Sequence, residues 1–438
     1  MKIDSSASSE AFFKERRDKL VKIASVAVCL VILYTIGILA WALPQPTYSE
    51  HEKRDLNQMP EFSIASLFKG EYTQKVELAY ADTFTFREAF IKLQALIEEA
   101  RGIRVEGAAI YAPSSTSDNA ASTGQPHLER VTVHNPGETV EGLLVYKGAG
   151  FLPFSASNQN AEAYASVINK YHDAFDKNVQ VYSLLVPNQT EFYSFPKKYQ
   201  NLSDSQKDVI EYIYSLLDCD IATVDAYSVL EAHSDEYLYF NTDHHWTGLG
   251  AYYAYTAFME AAGLDSYSYA SYTKHIIEPF LGSIYGATTD RSLYNNPDYV
   301  EWCEFPVANR TYQYKTRDLS NYDAVSVMAD YADYAVFLGG DLPLTIIKTD
   351  VDNGRKLAII KESYGNALAT FAASGFEETY VVDERYYEGN IVDLVNSRGI
   401  TDVLLINNIL FGNTPFFVEQ LEKLLTQSYS GAIAYPEE

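Results

Sequence analysis

The sequence predicts an α/β fold, a parallel sheet with helices on both faces, preceded by one N-terminal membrane-spanning helix. Three observations carry this. Short apolar runs alternate with segments of helical period along most of the chain, which is the pattern of strands joined by covering helices. Ile23 to Leu43 is an uncharged, mostly apolar stretch of about twenty residues, the length a helix needs to cross a bilayer. And 438 residues, 47% of them hydrophobic, suffice for one large core or two ordinary ones.

From the N-terminus, Lys14, Arg16, Arg17, Lys19 and Lys22 precede the apolar stretch. The positive-inside rule therefore puts residues 1–22 in the cytoplasm, 23–43 in the membrane and the remainder outside. Ala40-Trp41-Ala42 has the small-x-small pattern of a cleaved signal peptide. The run is long for a signal core, which favours an uncleaved anchor. Residues 44–60, polar and containing Pro44, Pro46 and Pro60, read as an external stalk. Residues 61–438 read as the extracytoplasmic domain. Phe86 to Glu99 has helical spacing, and Ala112 to Gly124, rich in Ser, Ala, Thr and Asn, reads as a flexible insertion.

Further along, Leu143 to Tyr146 is a short strand-like run and Ala161 to Phe175 a helix. Val179 to Leu185 is a buried strand, Asp208 to Leu217 a helix, Ile221 to Val224 a strand and Gly250 to Ala262 a helix. Leu357 to Ile360, Thr379 to Val382 and Val403 to Ile406 are three more strands with helical segments between them. Residues 265–350 are Tyr-rich and irregular and suggest an excursion of antiparallel strands. No internal repeat is visible.

The net charge of −26 argues against a nucleic-acid partner, whose phosphates need patches of Lys and Arg. The 36 tyrosines suit a carbohydrate-facing surface and equally an ordinary half-buried core. Of three cysteines, Cys29 lies in the expected anchor. Cys219 and Cys303 lie outside, where a disulfide is allowed but nothing in the spacing decides it. No metal-type cysteine spacing and no nucleotide-binding loop occurs, so no cofactor is implied.

The chemistry concentrates in Asn241-Thr242-Asp243-His244-His245-Trp246-Thr247, which holds two of only eight histidines. A carboxylate close to an imidazole is two-thirds of a Ser-His-Asp site, in which the carboxylate orients the base that deprotonates a serine. Ser363, in Lys361-Glu362-Ser363-Tyr364-Gly365-Asn366, follows an apolar strand and enters a helix, where α/β hydrolases expose a nucleophile. Sites in open parallel sheets form beyond the carboxyl ends of strands.

The Asp243-His244-His245-Trp246 string resembles the bacterial DHHW proteins, relatives of alginate O-acetylation proteins that carry an SGNH-hydrolase-like domain. Asp82-Thr83-Phe84-Thr85-Phe86-Arg87, Val186-Pro187-Asn188 and Asp383-Glu384-Arg385-Tyr386 resemble further family segments in the same order, covering roughly residues 60 to 412. The resemblance implies an SGNH-like three-layer fold. It implies Asp243 and His245 as the acid–base pair, Ser363 as nucleophile, and His244 and Trp246 in structural roles. Lys361-Glu362-Ser363 departs from the Gly-Asp-Ser signature of esterases. The N–H groups of Ser363 and Tyr364 and the Asn366 side chain are oxyanion candidates. Arg385, Tyr386 and Tyr387 are candidates for a sugar groove or, for the arginine, an ordinary ion pair; Asn407 and Asn408 are similarly placed.

The implied function is O-acetylation of a cell-surface or exported polysaccharide, beside a multi-spanning membrane-bound O-acyltransferase that supplies the acetyl group. An acetyl esterase would use the same triad, and a non-catalytic scaffold would keep only the fold. Asp243, His244 and His245 could also hold a metal, although no further ligand cluster stands out, or could cap the helix that starts near Thr247.

Overall fold

In the computed structural model the described residues are 142–436 apart from 329 and 330, together with shorter stretches before them. These are helical positions scattered between 24 and 38, and residues 48–49, 54–55, 58–60, 62, 71–83, 109–113 and 128–131. Two compact units divide the chain, one of residues 1–104 with 122–124, the other of residues 105–121 and 125–438.

In the first unit the described positions between 24 and 38 are helical and exposed. Among the described residues no helix is long and apolar enough to cross a membrane, and much of the expected anchor 23–43 lies outside them. The expected stalk contains an antiparallel pair, β1 (Tyr48–Ser49) with β2 (Arg54–Asp55). Helix α1 (Glu71–Thr83) ends on Thr83, whose hydroxyl turns back to the Ala79 carbonyl. Phe84 to Arg87 and the expected helix Phe86 to Glu99 lie outside the described residues.

The second unit opens with a small antiparallel sheet of β3 (Ala109–Pro113), β4 (Leu128–Val131), β5 (Leu143–Tyr146) and β6 (Ala149–Phe151). Ala112 and Pro113 therefore belong to a strand and not to the flexible insertion expected over 112–124; residues 114–124 lie outside the described ones.

The main layer alternates as expected: α2 (Asn158–Ala174), β7 (Gln180–Val186), α3 (Gln206–Ser215), β8 (Ala222–Thr223) and α4 (Gly248–Ala261). An antiparallel pair follows, β9 (Lys274–Phe280) with β10 (Asp298–Cys303), enclosing the short α5 (Ser283–Thr288). Then come β11 (Asn309–Tyr314), β12 (Asp323–Val325), β13 (Leu344–Thr349), β14 (Lys356–Lys361), α6 (Tyr364–Ala372), β15 (Glu378–Asp383), α7 (Ile391–Arg398), β16 (Asp402–Asn408) and α8 (Pro415–Thr426).

The central sheet runs β12-β11-β13-β15-β14-β16-β7-β8. The last five strands are parallel. The first three pair antiparallel, so the sheet is mixed and not purely parallel. The antiparallel strands expected in 265–350 are thus partly a separate ladder and partly an extension of the main sheet.

Strand side chains alternate between faces. Leu357 and Ile359 join one core with α4 and α6; Ala358 and Ile360 join another with α2, α3, α7 and α8. Both faces are covered, which is why the central strands read as unbroken apolar runs. At the amino ends of β14 and β16, Arg355 clasps the buried Asp402 through two nitrogens, and Tyr182 donates to the same carboxylate. Cys219 is exposed, Cys303 buried, and both are free thiols.

Arg355→Ala leaves Asp402, with a side chain 1% exposed, without its cation. We expect a stability loss of roughly 3 kcal/mol, the low end of the range because Arg355 is itself partly solvated. Urea unfolding measures it.

Candidate active site

Ser363 sits two residues past the end of β14 and directly before α6. Asp243, His244 and His245 lie on the loop entering α4, which Thr247 caps by accepting from the Gly250 N–H. Capping is therefore done by Thr247 and leaves Asp243 free for other partners.

The structure brings the three sequence-predicted residues into one line. His245 Nε2 is 2.7 Å from Ser363 Oγ, and His245 Nδ1 is 2.6 Å from Asp243 Oδ1. Asp243 also accepts from the His245 backbone N–H at 2.9 Å and, on Oδ2, from the Ser283 N–H at 2.7 Å. Burial pushes the Asp243 carboxyl up, but His245, His244 and these hydrogen bonds outweigh it and hold the group well below the usual carboxylate range. An ionised Asp243 fixes the Nδ1–H tautomer and leaves Nε2 bare toward the serine.

His244 points elsewhere. Its Nδ1 meets Ser283 Oγ at 2.6 Å, and its ring lies 3.8 Å from that of His245. Burial and the neighbouring His245 push its pKa down to about 4, so it is neutral above that. Ligand atoms of Asp243, His244 and His245 lie within 4.8 Å of one another. Both ring nitrogens of His245 and both oxygens of Asp243 are already committed to hydrogen bonds, so a metal there would have to break the line to the serine.

Trp246 is fully buried and donates Nε1–H to the Tyr364 carbonyl at 3.0 Å; the Tyr364 hydroxyl returns to the His244 carbonyl at 2.5 Å. The Tyr364 N–H is spent on Glu362 Oε2 at 3.1 Å. The Asn366 amide has one N–H on Asp341. Arg385 makes a bidentate pair with Asp383 and reaches Asp341 at 2.9 Å, and the ring of Tyr386 lies beside its guanidinium. Arg385 is thus locked into an ion-pair cluster with Asp383, Asp341 and the buried Lys361. Asn407 and Asn408 are buried behind the site and line no groove.

Several groups without a recognisable sequence signal support this arrangement. Asp298, buried on β10, accepts from the N–H groups of Asn241 and Thr242, from both their side chains and from Tyr237. It fixes the two residues before Asp243. The β6 backbone braces the same loop, with the Gly150 N–H on the Asn241 carbonyl. Tyr334 stacks on His245 at 4.0 Å and 7° and donates to the Ser363 carbonyl at 3.2 Å. Tyr334 and Asp341 are joined through Leu338, Gly339 and Gly340, three successive residues with positive φ. For Leu338 that conformation costs about 1–3 kcal/mol; Gln313 secures it by donating to the Leu338 carbonyl.

Behind the serine lie two buried acids. Glu362 accepts from the Asn408 N–H at 2.9 Å and touches Ser363 Oγ at 3.2 Å. Burial raises its pKa despite Arg385 and its two N–H partners. Glu384 takes the Asn407 amide at 3.0 Å; burial lifts its pKa to about 8, the Asn407 bond opposing and the charges of Glu362 and Asp383 adding.

The fold and site define a mixed α/β protein of the kind that holds a serine, a histidine and an aspartate at the carboxyl edge of its parallel strands. The chain belongs to the DHHW protein family, whose sequence pattern matches residues 127–382. The crystal structure of a DHHW family protein from Eubacterium siraeum is similar at 32% identity and a TM-score of 0.60, over 66% of this chain and 96% of that one. Bacillus cereus PatB1, solved with a sulfonyl adduct, shares the fold at 19% identity and a TM-score of 0.54, over 63% and 97%. The O-acetyltransferase domain of Pseudomonas putida AlgJ aligns at 14% identity over 64% and 96%, with a TM-score of 0.38. No curated protein matches the chain.

Two predictions follow from this packing. A Cβ on Gly282 would lie 2.2 Å from that of Asp243, so Gly282→Ala must displace the carboxylate. We expect a folded protein whose Ser363 reacts with a sulfonyl fluoride at least tenfold more slowly, since misplaced catalytic groups lose rate steeply. The raised pKa of Glu384 destabilises the folded chain once the acid must ionise. Its contribution to stability is complete below the ordinary 4.5 and is lost as pH rises towards about 8. Unfolding measured across that window should show a decline that Glu384→Gln flattens.

Proposed function

We propose that the chain is an O-acyltransferase that acetylates a cell-surface or exported polysaccharide through an acyl-enzyme on Ser363. The observation that supports it most is the unbroken hydrogen-bonded line from Asp243 through His245 to Ser363. In the first step His245 Nε2 takes the serine proton as Oγ attacks the acyl carbonyl, and Asp243 stabilises the imidazolium. The imidazolium then returns its proton to the departing donor oxygen. In the second step a sugar hydroxyl gives its proton to His245 and attacks the acyl-enzyme, and Ser363 leaves with its proton restored.

The oxyanion would be met by the Ser363 N–H and the second N–H of the Asn366 amide, because the Tyr364 N–H is already on Glu362. In this reading the domain stands outside the cell on an uncleaved N-terminal anchor. A single span cannot carry an acyl group across the bilayer, so a multi-spanning membrane-bound O-acyltransferase supplies it. An esterase differs only in letting water intercept the acyl-enzyme. A scaffold would have no use for a 2.7 Å contact between the imidazole and the serine.

The test is acetyl release from a chromogenic ester by the full chain, without and with an oligosaccharide acceptor. Ser363→Ala, His245→Ala and Asp243→Asn should each lower release by roughly 100-fold or more. Acetyl appearing on the acceptor supports transfer; release to water alone supports the esterase. A folded wild-type chain no faster than Ser363→Ala in either arm would sink both.

A further inference from the structure

Ser363 Oγ has two partners and one proton. It lies 2.7 Å from His245 Nε2 and 3.2 Å from Glu362 Oε2. With Asp243 ionised, the His245 Nδ1–H is committed to it, and a neutral His245 presents a bare Nε2 to the serine. The serine must then donate to His245. Its second contact is satisfied only if Glu362 is the donor there. An ionised Glu362 would instead take the serine's proton and leave two lone pairs facing each other across the shorter contact, unless His245 were already protonated and so unable to act as a base. Beyond the His245 Nδ1–H and the serine's own proton, one further proton remains to be placed, and it sits either on Glu362 or on His245 Nε2.

We infer that Glu362 is a catalytic residue working as a neutral acid, whose carboxyl O–H donates to Ser363 Oγ and so directs the serine's own proton to His245. This rests on reading Ser363 as the nucleophile. The hydrogen-bond accounting closes. Oε1 accepts from the Asn408 N–H, while Oε2 accepts from the Tyr364 N–H and donates to the serine.

The surroundings act in the same direction. Glu362 is fully buried, and Glu384, Tyr164, Tyr334 and Tyr364 lie near enough to interact with it electrostatically. The cations near it are Arg385 and its cluster partner Lys361, which share Asp383 and Asp341 as counter-charges, and His245 whenever that ring is protonated. Burial raises the Glu362 pKa against them.

The neutral acid also suits the chemistry. When the acyl-enzyme breaks down, negative charge develops on Oγ until His245 returns its proton, and a carboxyl O–H stabilises that charge where a carboxylate would repel it. Glu362 keeps its proton throughout, so no extra proton enters the balance. As pH rises and Glu362 ionises, the serine's proton turns away from His245 and reactivity falls.

The test uses the full chain and phenylmethylsulfonyl fluoride, with labelling of Ser363 followed by mass spectrometry across pH. Wild type, Ser363→Ala, Glu362→Gln and Glu362→Ala are compared, and infrared spectra are taken of wild type and Glu362→Gln. Glutamine keeps a donor for the serine and an oxygen for the Asn408 N–H but gives the Tyr364 N–H no acceptor, so Glu362→Gln should label more slowly than wild type yet at least about tenfold faster than Glu362→Ala at neutral pH. It should also lack the alkaline decline that wild type shows. Because Glu384 is also protonated at neutral pH, the readout is the difference spectrum: wild type minus Glu362→Gln should show the band of one protonated carboxyl group. A folded Glu362→Gln as slow as Glu362→Ala would overturn the proposal, as would a difference spectrum with no protonated-carboxyl band. If wild type fails to label Ser363 at any pH, it is the nucleophile reading that fails, and the infrared comparison still decides the state of Glu362.

Discussion

The hydrogen bond from the buried Trp246 indole to the Tyr364 carbonyl joins two segments far apart in sequence, and the site depends on that junction. It is one of three laces: the Tyr364 hydroxyl runs back to the His244 carbonyl, and His245 Nε2 meets Ser363 Oγ. Two of them are structural bonds, one buried and one partly buried, that set the third. An indole with no acceptor in the core would cost more than the bond returns. The chain therefore has a strong reason to keep Trp246 and Tyr364 in register, and the imidazole and the hydroxyl inherit that register.

Each side of the junction has its own footing. On the histidine side, Asp298 gathers the backbone before Asp243, Gly150 braces the Asn241 carbonyl, and Gly282 leaves room for the Asp243 side chain. On the serine side, Lys361, Asp383, Arg385 and Asp341 form a continuous charged cluster at the carboxyl ends of β14 and β15. Such a cluster adds little net stability, because dehydrating its charges offsets their attraction. Its value is rigidity, and polar groups held in place are what an active site needs.

Much of this was legible in the sequence. The runs Leu357–Ile360, Thr379–Val382 and Val403–Ile406 mark the strands at the sheet centre, because strands buried on both faces leave no polar alternation. The histidine string and the serine after β14 marked the residues that meet. The small antiparallel sheet is only partly written there, since Ala112 and Pro113 look like loop residues and become a strand by pairing with Leu128 and Glu129. Leu344 to Ile347 is an apolar run as clear as the others, but its antiparallel direction comes from the register with β11 and β15. Asp298, Gly282 and Tyr334 act through contacts made across long loops, and no local pattern announces them. Glu362 stood beside the serine, but its meaning depends on burial and on the Asn408 N–H, which only the fold supplies.

The strand order also has a consequence in time. β14, which delivers Ser363, lies between β15 and β16, and both come later in the chain. A chain emerging amino-end first completes the loop with Asp243 and His245 long before its serine has a strand to stand on. Ser363 gains its setting only when Asn408 has arrived, well after the serine itself. Until then a growing chain carries His245 without its serine partner, and the strand order makes the line from Asp243 through His245 to Ser363 a late product of folding.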